Sequence, residues 1–325
     1  MGRGPNRPPS ARRPRLSWFL RLNLWPRLAI VMVIGYTVLF AVTTGIGLAA
    51  TQERVEQIFD DRRILAESAA GQIDAFIADV ERGLKLADGP ADHAALHFLK
   101  HSRADVLSVA LFDLNARLVW QEPAGPDTLS PIVVDALRGR RTAVFGPVPD
   151  PVTGRPGIAV IVPLNEGAAA AVVDLDGPYL DRVLLQAKML GRTGHAMLVN
   201  EAGLILASTE TWERLQPGEH LEFYREAGTA RKPAVAVVPC QPCPGSEAGG
   251  DHLMAYAPLR VAPWGVAVGG SAAESLAPVY ALRSRVLAAG LLMLIAVLGA
   301  TLVGSKLLVR PVEYLIGSAE RLAAG

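Results

Sequence analysis

The residues best suited to chemistry are few and clustered. Cys240 and Cys243 stand in Val-Val-Pro-Cys-Gln-Pro-Cys-Pro-Gly, and a Cys-x-x-Cys pair serves haem attachment, thiol–disulfide exchange, zinc binding or a plain disulfide. Covalent haem needs His directly after the second Cys, where this chain has Pro244. A redox thiol wants the N-terminus of a helix, whose dipole lowers its pKa; Pro242, Pro244 and Gly245 oppose a helix there. Zinc asks for four ligands, and His252 is the only near third. A loop disulfide or a pair of inert thiols is therefore expected, with a redox or metal response as the alternative. His93, His97 and His101 recur every fourth residue, so on a helix they share one broad face, where two of them beside Asp92 could hold a transition metal. A solvated helix face is the favoured reading, and no cofactor or metal is expected. No Walker loop, zincin helix or nucleophile elbow occurs, and Ser, His and Asp show no triad spacing. The chain reads as a binder, with no catalytic module of its own.

What positions these groups is set by two uncharged apolar runs, residues 28–50 and 286–304. About 20 apolar residues at 1.5 Å rise cross the roughly 30 Å hydrocarbon core, and one charge at mid-depth would cost about 2.5–3.5 kcal/mol. Arg3, Arg7, Arg12, Arg13, Arg15, Arg21 and Arg27 precede the first run without an acidic residue among them, and Lys306 and Arg310 follow the second. The positive-inside rule then puts both termini in the cytoplasm and the segment between the runs outside it. Gly47 and Ala49 offer a small-x-small cleavage site, but a signal h-region is only 7–15 residues long, so an uncleaved anchor fits better. The net charge of +1 over 325 residues hides a basic leader and a more acidic middle. The leader is read as a topology signal and an attraction to anionic lipid, with no nucleic-acid partner. Both cysteines lie in the exported segment, an oxidising place in a bacterium.

Between the runs the pattern changes twice. From Thr51 to Asp88, apolar residues at Val55, Ile58, Leu65, Ala69, Ile73, Phe76, Val80 and Leu84 fall on one helix face. No proline interrupts them, so the first span is expected to continue outward as a single long helix. A helix at 92–101, strands at 106–112 and 117–121 around Asp113-Leu114-Asn115-Ala116, a helix at 132–137 and strands at 142–148, 157–164 and 168–175 make one α+β unit with an antiparallel sheet. The pattern then restarts: a helix at 178–190, strands at 195–200 and 204–208 around Glu201-Ala202-Gly203, and strands at 234–238, 253–259 and 264–269.

Here the residues carry a resemblance. Gly191-Arg-Thr-Gly-His-Ala-Met-Leu-Val-Asn-Glu-Ala-Gly-Leu-Ile-Leu-Ala-Ser208 resembles the entry to the membrane-proximal module of double Cache sensor domains. Residues 142–164, with Asp150-Pro-Val-Thr-Gly-Arg-Pro156 at their turn, are similar to the distal module, and Pro263-Trp264-Gly265 to the exit. Past the second span, Val309-Arg-Pro-Val-Glu-Tyr-Leu315 followed by Ile316, Ala319 and Leu322 resembles the first helix of a HAMP linker. Proline at a helix start forfeits no needed hydrogen bond, and the 3-4 spacing makes a seam for a parallel partner. A HAMP linker needs a second helix, and only one precedes Gly325; the chain is either the front part of a longer receptor or a naturally short one, and in both cases the output module is expected outside these residues.

The resemblance implies an α+β fold of two tandem PAS-like (Cache) modules with antiparallel sheets on a long N-terminal helix, flanked by two transmembrane helices. The expected organisation is a cytoplasmic leader (1–27), a first span (28–50), a long signalling helix (51–88), a distal module (89–177), a proximal module (178–282), a second span (284–308) and an incomplete HAMP helix (309–325). It implies a homodimeric, two-pass receptor of a bacterial inner membrane that senses a small-molecule ligand. The distal module is where the family holds its ligand, and Asp174 matches the aspartate that grips an amino acid's ammonium in amino-acid sensors. Those members also carry Arg-x-Trp-Tyr, which residues 121–145 lack, so amino-acid binding is disfavoured. Trp120, Arg141, Phe145 and Asp174 are the positions expected to line a distal ligand pocket, on the ground that small-ligand sites pair aromatic walls with a few polar groups; Arg141 also reads as a surface cation beside Arg138 and Arg140. The alternative to a receptor is a membrane-anchored periplasmic thiol–disulfide or redox- or metal-responsive protein using Cys240 and Cys243.

Overall fold

A computed structural model describes residues 24–87, 93–186, 191–240 and 250–304, together with Tyr314, Ser318 and Arg321. The basic leader before Leu24, Cys243 and most of the expected HAMP helix lie outside the described residues. The chain divides into two units, residues 54–278 and a helical unit formed by the two flanks.

In the flanking unit, helix α1 (Leu24–Leu84) and helix α6 (Ala272–Gly304) contain the two apolar runs. Both are long and apolar enough to cross a membrane, and the most apolar window of each has none of its residues buried. Val31, Ile34, Leu39, Leu291 and Leu292 stand exposed, as lipid-facing side chains would. The pair meets through small residues, the usual device where apolar burial gives no advantage over lipid. The Tyr36 hydroxyl donates to the Gly290 carbonyl at 2.6 Å, and a Cβ on Gly290 would stand 2.1 Å from the Phe40 ring.

In the 54–278 unit the 61-residue helix α1 presents Ala66, Ala69, Ile73, Phe76, Ile77, Val80 and Leu84 to a core shared with both sheets. The periodic residues legible in the sequence from Ala69 onward are buried, whereas Val55, Ile58 and Leu65 are half-buried. Two five-stranded antiparallel sheets follow. The first takes β1 (Val106–Phe112), β2 (Leu118–Glu122), β3 (Ala143–Pro149), β4 (Pro156–Leu164) and β5 (Gly167–Asp174) in the order β2-β1-β5-β4-β3. The second takes β6 (His195–Val199), β7 (Ile205–Ser208), β8 (Ala234–Cys240), β9 (Gly250–Pro258) and β10 (Gly265–Gly269) in the order β7-β6-β10-β9-β8. The same order therefore recurs, with α2 (His93–Ser102) before the first sheet and α4 (Pro178–Leu185) before the second. Each sheet turns one face to the shared core and covers the other with its own short helix, α3 (Ser130–Gly139) or α5 (Leu221–Ala230).

The turn after β6 shows how the proximal module is set. The Asn200 side-chain oxygen accepts from the backbone N–H of Ala202 and Leu204 at 3.0 and 2.9 Å, an Asx-type turn. Gly203 closes it at φ +80°, where a Cβ would strike Leu221. Helix α5 was not legible in the sequence, and Cys240 ends strand β8 instead of starting a helix.

Candidate ligand-binding site

The two covered faces differ in what fills them. On the distal sheet, Ala110, Phe112, Ile161 and Val172 pack against Val133 and Ala136 of α3 in an apolar layer. On the proximal sheet, Met197, Val199, Met254 and Tyr256 pack against Tyr224 and Ala227 of α5, and beside them opens a hollow of ≈ 630 Å³ with histidines and carboxylates in its walls. That volume lies within the range of small-molecule sites. A wider hollow of ≈ 770 Å³ runs beside α1, but its Asp74 carboxylate already accepts from the backbone N–H of Arg260 and Val261 at 3.0 and 3.2 Å.

Three separate elements bring His195, His220 and His252 to the proximal hollow: the first residue of β6, the residue before α5, and β9. A Cβ on Gly269 would stand 2.7 Å from the His195 ring, so a glycine there gives that imidazole its room. His195 Nδ1 donates to the Thr193 carbonyl at 3.3 Å. His220 Nε2 lies 3.4 Å from His252 Nδ1, a contact that needs a lone pair on one ring and so cannot form between two imidazolium ions. Burial depresses all three pKa values, with neighbouring imidazoles adding to it at His220 and His252 and Arg62 lowering His195 and His252; His220 falls to about 4. The three rings are neutral at neutral pH.

The charged lining is mostly acidic, Glu210, Glu213, Glu219 and Asp251 against Arg192, with Thr193, Gln216 and Ser271 as neutral polar groups. The Ser208 hydroxyl donates to Glu213 at 2.5 Å. Burial raises the pKa values of Glu213 and Glu219, and each has a neighbouring glutamate that raises it further. Tyr224 donates its hydroxyl to Met197 Sδ at 3.4 Å and closes the floor, its pKa raised by burial. Crowded carboxylates among neutral imidazoles relieve their repulsion by taking a proton or a cation.

One wall is tied to the long helices. Arg62 of α1, 3 % exposed, donates to the carbonyl of Leu253, next to His252, at 2.9 Å and to the Ser275 hydroxyl of α6. At the mouth, Glu274 of α6 accepts from the backbone N–H of Arg192 and Thr193 at 2.8 and 3.1 Å and from the Thr193 hydroxyl at 2.6 Å.

The four expected distal positions are not brought together. Trp120 lies on edge strand β2 and packs toward the shared core, while Phe145 lies on the opposite edge strand β3 and packs toward α3. Arg141 is exposed just past α3. Asp174, 5 % exposed, is paired with Arg155 at 3.0 Å and accepts from the Asp176 N–H at 2.9 Å. Of the proximal group, the sequence singles out His252 only as a near partner for the cysteines and His195 only within the Gly191–Ser208 signature. Their separation along the chain leaves no local spacing to read.

No family model matches the chain, and no curated protein matches it in sequence. Solved structures do match. The extracellular domain of the putative histidine kinase mmHK1S-Z3 is 16% identical with a TM-score of 0.56, over 70% of this chain and 98% of that one. The ligand-binding domain of the Pseudomonas aeruginosa PAO1 amino acid chemoreceptor PctB, in complex with L-Arg, is 15% identical with a TM-score of 0.51, over 70% of this chain and 93% of that one. An extracellular ligand binding receptor from Desulfohalobium retbaense is 10% identical with a TM-score of 0.51, over 65% of this chain and only 40% of that receptor. With its twice-used strand order on one long helix, the sensor unit has the double Cache fold of chemoreceptor and histidine-kinase ligand-binding domains.

Proposed function

We propose that this chain is the sensing part of a two-pass receptor in a bacterial inner membrane, and that it binds a small, amine-bearing ligand in the proximal hollow. The observation that carries the reading is the set of carboxylates and neutral histidines around one cavity whose wall is hydrogen-bonded to both long helices. The charged lining favours a cation. The cavity replaces the expected distal site because Trp120, Arg141, Phe145 and Asp174 point to different places.

Ligand entry would draw Glu213 and Glu219 together around the ammonium and shift β9 and the 192–193 turn. Through Arg62 and Glu274 that shift reaches α1 and α6, both of which contain an apolar span. A displacement of about 1–2 Å, with coupling of about 1–3 kcal/mol, is enough for a two-state receptor. Both termini are assigned to the cytoplasm by the Arg-rich leader and Lys306 with Arg310. A symmetric homodimer and a HAMP linker after the second span complete the proposal, with a cytoplasmic output of the histidine-kinase, chemoreceptor or cyclic-dinucleotide-enzyme class as the receiver of the signal.

The test is a thermal-shift panel on the full chain in lipid nanodiscs, covering diamines, polyamines, basic and neutral amino acids, purines and dicarboxylates, with and without reductant. A ligand at 100 times its dissociation constant adds about 2.7 kcal/mol. Stabilisation by amines and not by dicarboxylates is expected. Stabilisation by dicarboxylates alone overturns the ligand class, and a response to reductant alone favours the thiol reading.

A further inference from the structure

The other three histidines lie on the distal module, where α2 crosses β2. His93 stacks on Trp120 with ring centroids 4.8 Å apart and planes 20° from parallel, which seats this face of α2 on the edge strand. One turn along, His97 Nδ1 lies 2.8 and 3.0 Å from the two carboxylate oxygens of Glu122. The next turn brings His101, its ring 4.2 Å from that of His97 and its Nδ1 3.9 Å from Glu122. One ligand atom from each of His97, His101 and Glu122 lies within 4.8 Å of the others.

We propose that His97, His101 and Glu122 form a surface site for a divalent transition-metal ion of the zinc, copper or nickel class. Histidines at i and i+4 present their rings on one face of a helix, the spacing that chelates such ions. Two imidazole nitrogens and one carboxylate oxygen suit those metals and not Mg²⁺ or Ca²⁺, which want oxygen. Two atoms bound at about 2.0–2.1 Å to a tetrahedral ion stand about 3.3 Å apart, so the His97–Glu122 contact opens by only a few tenths of an ångström to admit it. The rings are 60% and 62% exposed, which gives the ion a path in and leaves a fourth position for water. His101 Nδ1 donates to the His97 carbonyl at 3.0 Å, so an ion held through that nitrogen would replace this bond and the His97–Glu122 bond with a clamp between α2 and β2. The site shares no residue with the proximal cavity.

The measurement is Co²⁺ titration of the full, chelator-stripped chain in detergent, followed by visible absorption, then displacement by Zn²⁺ in a calorimeter. Saturation at one Co²⁺ per chain is expected, with a ligand-field band that Zn²⁺ abolishes and excess Mg²⁺ does not. His101→Ala and Glu122→Gln each weaken binding by about tenfold or more while the circular-dichroism melt stays in place. Absence of saturable binding overturns the proposal. So does binding that survives both His97→Ala and His101→Ala, or that is lost in His220→Ala or Cys240→Ser.

Discussion

His220 is the side chain whose protonation reports most directly on the proximal cavity. Its pKa is about 4 in the folded chain against an ordinary 6.5, so on acidification the unfolded chain takes up the proton first. Its contribution to stability is therefore complete above about pH 6.5 and is lost as the pH falls through 6.5 toward 4. At about 1.4 kcal/mol per unit, the loss amounts to about 3 kcal/mol. Chemical denaturation across pH 4–8 should show that decline in the wild type and a flatter curve in His220→Gln. In the proposed coupling, Arg62 ties the cavity wall at Leu253 to α1 and α6. Arg62→Met leaves the Leu253 carbonyl without its donor, at a cost of about 1–3 kcal/mol. It should keep ligand affinity within about threefold while abolishing any ligand-induced change in the distance between spin labels on α1 and α6, measured by pulsed electron resonance. A full distance change in that variant would remove Arg62 from the coupling.

At the scale of elements, the strands were legible because β1, β4, β5, β9 and β10 are short apolar runs bounded by turn residues, and α1 because its apolar face repeats without a proline. The restart of the pattern with the helix at 178–190 announced the second five-stranded sheet. Helix α5 escaped because Leu-Glu-Phe-Tyr-Arg-Glu-Ala-Gly-Thr-Ala buries only Tyr224 and Ala227, too few apolar positions to show a period. It is fixed by packing on the sheet instead of by its own propensity. The candidate site was hidden for a related reason: His195, His220 and His252 meet only because sheet order brings β6 and β9 to either side of β10. The distal positions were chosen by residue type and by resemblance, and neither specifies which face of a strand a side chain takes. Trp264 was recognisable within Pro263-Trp264-Gly265, and its ring is 2 % exposed in the shared core, where a Cβ on Gly146 of β3 would stand 3.1 Å from it. Trp264→Ala should therefore cost about 3–5 kcal/mol and loosen both modules together. A denaturant melt in which only the proximal module loses stability would separate the two cores.

For the whole molecule, the division is an apolar layer on the first sheet, a polar cavity beside the second, and two long helices that pack on the sheets and carry the apolar runs. In the proposed receptor, a ligand beside Arg62 and Glu274 would bear on α1 and α6 directly, with no rearrangement of the first sheet required. The central claim is the location and charge preference of the ligand site, and calorimetric titration of the full chain in nanodiscs with spermidine and L-arginine as probes tests it most directly. Comparison of wild type, Glu213→Gln, His252→Ala and Asp174→Asn separates the two modules. Saturable binding that weakens about tenfold or more in Glu213→Gln and His252→Ala, and is unchanged in Asp174→Asn, is the predicted result. Binding lost in Asp174→Asn but intact in the two proximal variants, or no binding of either probe, would contradict it.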